Sequence, residues 1–171
     1  MPGPWPVLTG IFAKYLGDGL LIYFGYPQAH EDDPQRAVRG GLAILEGMEP
    51  LNNKLKAGKD IELAVRIGVH TGLVVAGEMG GGDTIESLAI VGETPNIAAR
   101  LQEAAEPNTL VITDIAANLV QGIFVCEALG FHELKGISQP MELFGFLSES
   151  GAQTRFDVAV AAQLTPLVGR E

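Results

Sequence analysis

The sequence predicts an α/β sandwich built on a mixed sheet. Short apolar runs rich in β-branched and aromatic residues, such as "GLLIYF", "TLVITD" and "MELFGFL", have the length of strands. Two longer stretches, around residues 30–60 and 94–105, carry helical periodicity instead. The two kinds of segment interleave without a strict strand-helix repeat, so an all-parallel sheet is not expected. At 171 residues with 47% apolar side chains, the chain can bury the core of one domain and is not a disordered polymer.

Residues 1–10 carry three prolines and two glycines and read as an irregular arm. Residues 11–25 form a hairpin around "GDG", with a type I′ turn centred on Asp18 and Gly19 as its simplest solution. "HEDDPQRAVRGGLAILEGMEP" starts a helix, with Asp33 as cap and Pro34 in the first position. Its apolar residues Ala37, Val38, Leu42, Ile44 and Leu45 recur at near-helical spacing, and Pro50 is expected to kink or split it. "ELAVRIGVHTG" and "LVVAGEM" read as two strands around a Thr-Gly turn, "GGGDTIE" as a flexible loop and "SLAIVGE" as a short strand. "TPNIAARLQEAA" is a helix with Thr94 as cap and Pro95 at its first position. "TLVITD" is a buried strand and "IAANLVQG" a short helix, while "IFVCEALGFHELKG" and "MELFGFL" close the sheet. Residues 148–171 have little period and read as a linker toward another domain.

The 21 acidic and 11 basic side chains leave a formal charge of −10, which argues against a nucleic-acid backbone as partner. A nucleotide substrate remains compatible, because a metal ion can bring the positive charge. The single Cys126 allows no internal disulfide, in keeping with a reducing compartment. No apolar run reaches the roughly 18 residues that span a bilayer, and "MPGPWPVLTG" lacks the basic and apolar regions of a signal peptide. A cytoplasmic protein is expected.

Several side chains have both an ordinary and a chemical reading. Asp18 is either a turn residue or a ligand for a hard cation at a sheet edge. Lys14, four residues back in an apolar strand, needs a partner if it faces inward. Asn96 and Arg100 sit at i and i+4, so they project from one helix face. An amide and a guanidinium together can hold a sugar oxygen and a phosphate, or they can simply be a polar surface. Arg66, flanked by apolar strand residues, either points to solvent or seeks an anion. Lys135, before a glycine, is by default a solvated lysine. His30, His70 and His132 have no metal-like spacing to one another or to Cys126, and His70 reads as a hydrogen-bonded structural residue. There is no G-x-S-x-G and no G-x-x-x-x-G-K-[ST].

Taken in order, "AKYLGDGLLIYFG", "RIGVHTGLVVAGEMG", "VGETPNIAARLQEAA" and "ELKG" resemble the class III adenylate/guanylate cyclase catalytic domains over about residues 10–147. The tail "RF…LTPLVGRE" resembles the junction in soluble-adenylyl-cyclase-like proteins fused to an AAA-type ATPase. The resemblance implies a ferredoxin-like βαββαβ core working as a head-to-tail homodimer, or paired with a second cyclase chain, with two composite sites. It implies ATP as substrate, or GTP, and cyclic AMP and pyrophosphate as products of attack by the ribose 3′-hydroxyl. It also implies two Mg²⁺ or Mn²⁺ ions held by two aspartates. Asp18 matches the second of these metal aspartates. Asn96 matches the ribose-orienting residue and Arg100 the one stabilising charge on the α-phosphate. Arg66 and Lys135 match phosphate contacts, and Lys14 matches the purine-edge residue of adenylate cyclases, favouring ATP. The purine-contacting partner of Lys14 falls at Ala89, which cannot accept a hydrogen bond from the adenine amino group.

Family members begin with a strand carrying F-x-D-[IL]-x-G-[FS]-[ST], followed by two helices, which supplies the first metal aspartate. Nothing before Gly10 matches it. The fold is therefore expected to lack its usual first strand and two helices, roughly 40 residues. With one metal aspartate missing, little or no cyclase activity is expected of the chain as written. The alternative reading is a catalytically silent cyclase-fold module that binds nucleotide or dimerises and regulates an attached ATPase. A diguanylate cyclase is disfavoured, since no GG[DE]EF turn occurs.

Overall fold

A computed structural model of the chain describes residues 11–59, 61–79 and 86–151. The arm at residues 1–10 and most of the expected linker at 148–171 lie outside the described residues, as does most of the "GGGDTIE" loop. The elements are β1 (Ile11–Leu16), β2 (Gly19–Phe24), α1 (Asp33–Lys59), β3 (Arg66–Val69), β4 (Val75–Met79) and β5 (Glu86–Val91). They continue with α2 (Glu93–Ala104), β6 (Thr109–Thr113), α3 (Asp114–Val120), β7 (Phe124–His132) and β8 (Met141–Glu149).

The central sheet has four strands in the order β3-β6-β8-β7. β3 and β6 are parallel, because a whole β4-β5-α2 crossover separates them in sequence. β6-β8 and β7-β8 are antiparallel, so the sheet is mixed, as expected. β1-β2 and β4-β5 are separate antiparallel hairpins. The expected turn between the "RIGVHTG" and "LVVAGEM" strands therefore makes no hairpin: β3 pairs with β6, and β4 with β5.

Each face of the central sheet carries its own core. Val38 of α1 and Ala116 and Val120 of α3 pack with Leu110, Ile112 and Phe124 on one side. Ile97, Leu101 and Ala105 of α2 pack with Val111, Leu143 and Leu134 on the other. The alternation of Leu110, Val111 and Ile112 across the two clusters is the period of two of a strand covered on both faces.

Four local expectations are corrected. α1 runs unbroken from Asp33 to Lys59 through Pro50. Pro50 and Glu46 are both exposed, so the carbonyl that the proline cannot pair is left to water. Asp33 is the first helical residue rather than a cap over the amides ahead of it. Its carboxylate faces back, accepting from the His30 amide at 2.7 Å and from Arg36 Nη1 at 2.9 Å. α2 is capped by Gly92, and Thr94 Oγ1 instead donates to the Leu73 carbonyl at 2.8 Å. The β1-β2 turn is centred on Gly17 and Asp18, with Leu16 opposite Gly19. Gly17 has φ 63°, and Asn108 is the only described non-glycine residue with positive φ. Asp18 therefore takes an ordinary backbone conformation, the pattern of a type II′ turn rather than I′.

Candidate functional site

The site grows out of how α2 is anchored. Ile97 and Leu101, at i and i+4, are buried against the sheet. Asn96 and Arg100 each stand one residue earlier, so they form the neighbouring stripe at the rim of the buried face. Gly92, with φ 146°, admits the chain into the helix in a conformation that favours glycine. No side chain caps the helix N-terminus. Its first amides leave a partial positive charge there.

Lys135 reaches the same place by a different route. Leu134 is buried beside α2, and Ile137 packs on the same cluster. Between them the Ile137 amide donates to the Leu134 carbonyl at 3.0 Å, closing a four-residue turn. Gly136, with φ 81°, takes the position that a type II turn reserves for glycine. The turn is thus pinned at both ends by apolar side chains and presents Lys135 outward.

The result is an open cleft of about 510 Å³ lined by Gly92, Glu93, Asn96, Arg100, Lys135, Gly136 and Ile137. It combines two cations, an amide and a helix N-terminus with one carboxylate, on a chain of net charge −10. Such a set is chemically fitted to an anion with several oxygens, a phosphate chain above all. Arg100 Nη1 donates to both carboxylate oxygens of Glu103, at 2.6 and 2.8 Å. Asn96 and Lys135 are exposed.

The other expected site residues lie elsewhere. Asp18 is exposed in the β1-β2 turn and does not line the cleft. Arg66 opens β3, opposite Thr109, and is exposed, and it does not line the cleft. Lys14 pairs with Leu21 in the first hairpin, and Ala89 with Gly77 in the β4-β5 hairpin. Among the described residues no three His, Cys, Asp or Glu side chains gather where a metal ion could be held. No described helix is long and apolar enough to cross a membrane.

Two polar groups that pin opposite ends of the β3-β6 pair were not picked out in the sequence as site residues. His70 ends β3, and its Nδ1 shares a 2.9 Å hydrogen bond with Oγ1 of the fully buried Thr113, so the structural reading of His70 holds. Burial lowers the His70 pKa, outweighing the opposing pull of Asp114 and Glu93. Asn108, with φ 60°, accepts from the Val65 amide through Oδ1 at 3.1 Å and donates its own amide to the Val65 carbonyl at 2.6 Å. It locks the entry of β3 beside that of β6. A "PN" dipeptide after an apolar helix was the available signal.

Comparison with known proteins agrees with this architecture. The sequence model described as "Adenylate and Guanylate cyclase catalytic domain" matches residues 12–148. Adenylate cyclase 1 of Rhizobium meliloti is 31% identical over 93 residues, covering 54% of this chain and 14% of the relative. The human guanylate cyclase soluble subunit beta-2 is 29% identical over 135 residues, 75% of this chain and 21% of the relative. The chain thus spans less than a quarter of either relative's length. Among solved structures, the adenylyl cyclase CyaB from P. aeruginosa superposes with a TM-score of 0.75 at 26% identity, covering 81% of this chain and 71% of that one. The guanylate cyclase domain of RhGC from Catenaria anguillulae, solved with GTP, gives 0.71 at 26% identity, with 81% and 73% covered. A mixed sheet, an anion-fitted cleft on α2 and a family match over most of the chain lead to one conclusion: the chain belongs to the adenylate and guanylate cyclase catalytic domain family.

Proposed function

We propose that the chain is the catalytic module of an adenylate cyclase, converting ATP to cyclic AMP and pyrophosphate, and that the α2 cleft receives the triphosphate. The observation carrying this reading is the convergence of Asn96, Arg100 and Lys135 on one cleft from two distant parts of the sequence. The Arg100 fork and the Lys135 ammonium offset charge on the phosphates, and the α2 N-terminus adds backbone donors. Asn96 orients the ribose, so that its 3′-oxygen lies in line with the α-phosphorus as the bond to pyrophosphate breaks. Lys14, from its place in the resemblance, favours the adenine edge over guanine, and Ala89 leaves that selection loose.

The family's two divalent ions, Mg²⁺ or Mn²⁺, offset charge on the nucleophile and on the leaving pyrophosphate when bound. Asp18 is one exposed carboxylate, whereas Mg²⁺ takes about six oxygen ligands. With no acidic cluster among the described residues, those residues of a single chain do not fit a two-ion site. The reading therefore places Asp18 of one chain against the α2 cleft of a second, either another copy or a different cyclase chain, with any further carboxylate coming from outside the described residues.

Complementation tests this. Cyclic AMP and cyclic GMP formation is measured with Mn²⁺ and ATP or GTP for the wild-type chain, for Asp18→Ala, for Arg100→Ala, and for the two variants mixed. The expected result is at most a weak ATP-dependent yield from the chain as written, which each substitution removes and mixing partly restores, because one of the two sites in a mixed pair is intact. Product that survives Asp18→Ala sinks the assignment of Asp18. A folded chain that binds ATP yet never forms product favours the silent regulatory module instead.

A further inference from the structure

Arg100 is not free in the cleft. Its Nη1 is held by both oxygens of Glu103, one turn further along α2. Glu103 does not line the cleft itself. Among the described residues Arg100 has no other partner, so the rest of its guanidinium fork is open toward the cleft. A phosphate seeking the full fork must therefore compete with a carboxylate already on it.

The magnitudes say which anion wins. The pair is an i,i+3 contact on a half-open surface, with side chains 34% and 55% exposed, and such solvent-screened pairs contribute little. A phosphate can engage the fork in two parallel charge-assisted bonds while also reaching Lys135 and the α2 amides. Glu103 should thus yield to polyphosphate, while weakening its binding by a modest factor. With the cleft empty, it holds a long, flexible cation in one place.

We propose that Glu103 is a positioning residue that acts through Arg100. It parks the guanidinium at the cleft rim and is displaced when a triphosphate enters, which sets the affinity of the site for phosphate chains. This rests on the α2 cleft being the triphosphate site. Glu93 is the useful contrast. It lines the same cleft, yet makes no described contact with Arg100, so it acts on an anion only through its charge.

The test is a titration of the full chain with inorganic triphosphate in EDTA at low salt. Backbone amide resonances of α2 follow binding and report millimolar affinities as readily as micromolar ones. Glu103→Gln is expected to bind roughly threefold more tightly than wild type, in proportion to the small worth of an exposed pair. In an Arg100→Gln background the same substitution should change affinity by less than about 1.5-fold, because the contact through which it acts is gone. Glu93→Gln should tighten binding equally in both backgrounds. If Glu103→Gln has no effect, or the same effect with and without Arg100, the proposal fails and the cleft assignment stands. If triphosphate leaves the α2 resonances unmoved in the wild-type chain, the cleft assignment fails and takes the proposal with it.

Discussion

Gly68 of β3 lies flat beneath Leu101 of α2. A Cβ built on Gly68 would stand 2.6 Å from the Leu101 Cβ, and equally close to the Ala98 carbonyl and the Gln102 amide. No side chain fits between strand and helix at this point, so the missing side chain lets α2 seat on the sheet and sets the height of Asn96 and Arg100. Gly68→Ala must lift the helix, since the obstructing atoms are largely backbone. The expected cost is about 1–3 kcal/mol, as for other overpacked cores, with a parallel loss of triphosphate affinity. Urea unfolding measures the first, and the α2 resonance titration the second.

The hairpin tip separates folding from chemistry. Gly17 holds the positive φ of the turn, so Gly17→Ala should destabilise the hairpin by about 1 kcal/mol. Asp18 is exposed in an unstrained conformation, so Asp18→Ala should leave the unfolding midpoint where it is while removing cyclase activity. Thermal unfolding beside the product assay checks both. A large stability loss in Asp18→Ala would return the residue to its plain turn role.

His70 gives the stability a pH dependence of known sign. Burial lowers its pKa, so the folded chain holds it neutral while the unfolded chain takes up a proton near the usual 6.5. The unfolded state then binds more protons at and below about pH 6.5. This contribution to stability is complete above that value and falls away as the solution is acidified through it. In His70→Asn, where an amide can keep a bond to Thr113, the stability should vary less with pH between 7.5 and 5. Denaturant midpoints across that range give the comparison, and an unchanged slope would exclude His70 as the source.

Cys126 should behave as a quiet thiol. It packs beside Phe124 and Phe146, and burial pushes its pKa up. Less thiolate at pH 8 means slower attack on a disulfide reagent. Labelling of the folded chain should therefore be slower than labelling in urea, with release of the chromophore as the readout. Equal rates would show that the β7-β8 sheet opens freely.

Much of the candidate site could be read from the sequence because its signals are local. Asn96 and Arg100 declare their common face by spacing alone, and a helix keeps that relation wherever it packs. "LKG" carries its own turn, with an apolar anchor before the lysine and glycine after it. The strands declared themselves by apolar runs, and the hairpin by "GDG". Where local propensity was the only guide, it misled. Pro50 does not break α1, because its unpaired carbonyl partner is exposed to water. Thr94 gives up the cap to bind the Leu73 carbonyl, a contact with a loop distant in sequence.

The sequence by itself determined the composition of the elements, the two-sided burial of β6 and the helix face that carries the amide and guanidinium. Each follows from a side-chain period that the backbone geometry enforces. Only the tertiary structure decided that β3 pairs with β6 rather than with β4, that Lys135 lines one cleft with Arg100 and that Arg66 is exposed. Those relations depend on which surfaces exclude water together and on side-chain geometry across elements, and no local pattern of residues encodes them.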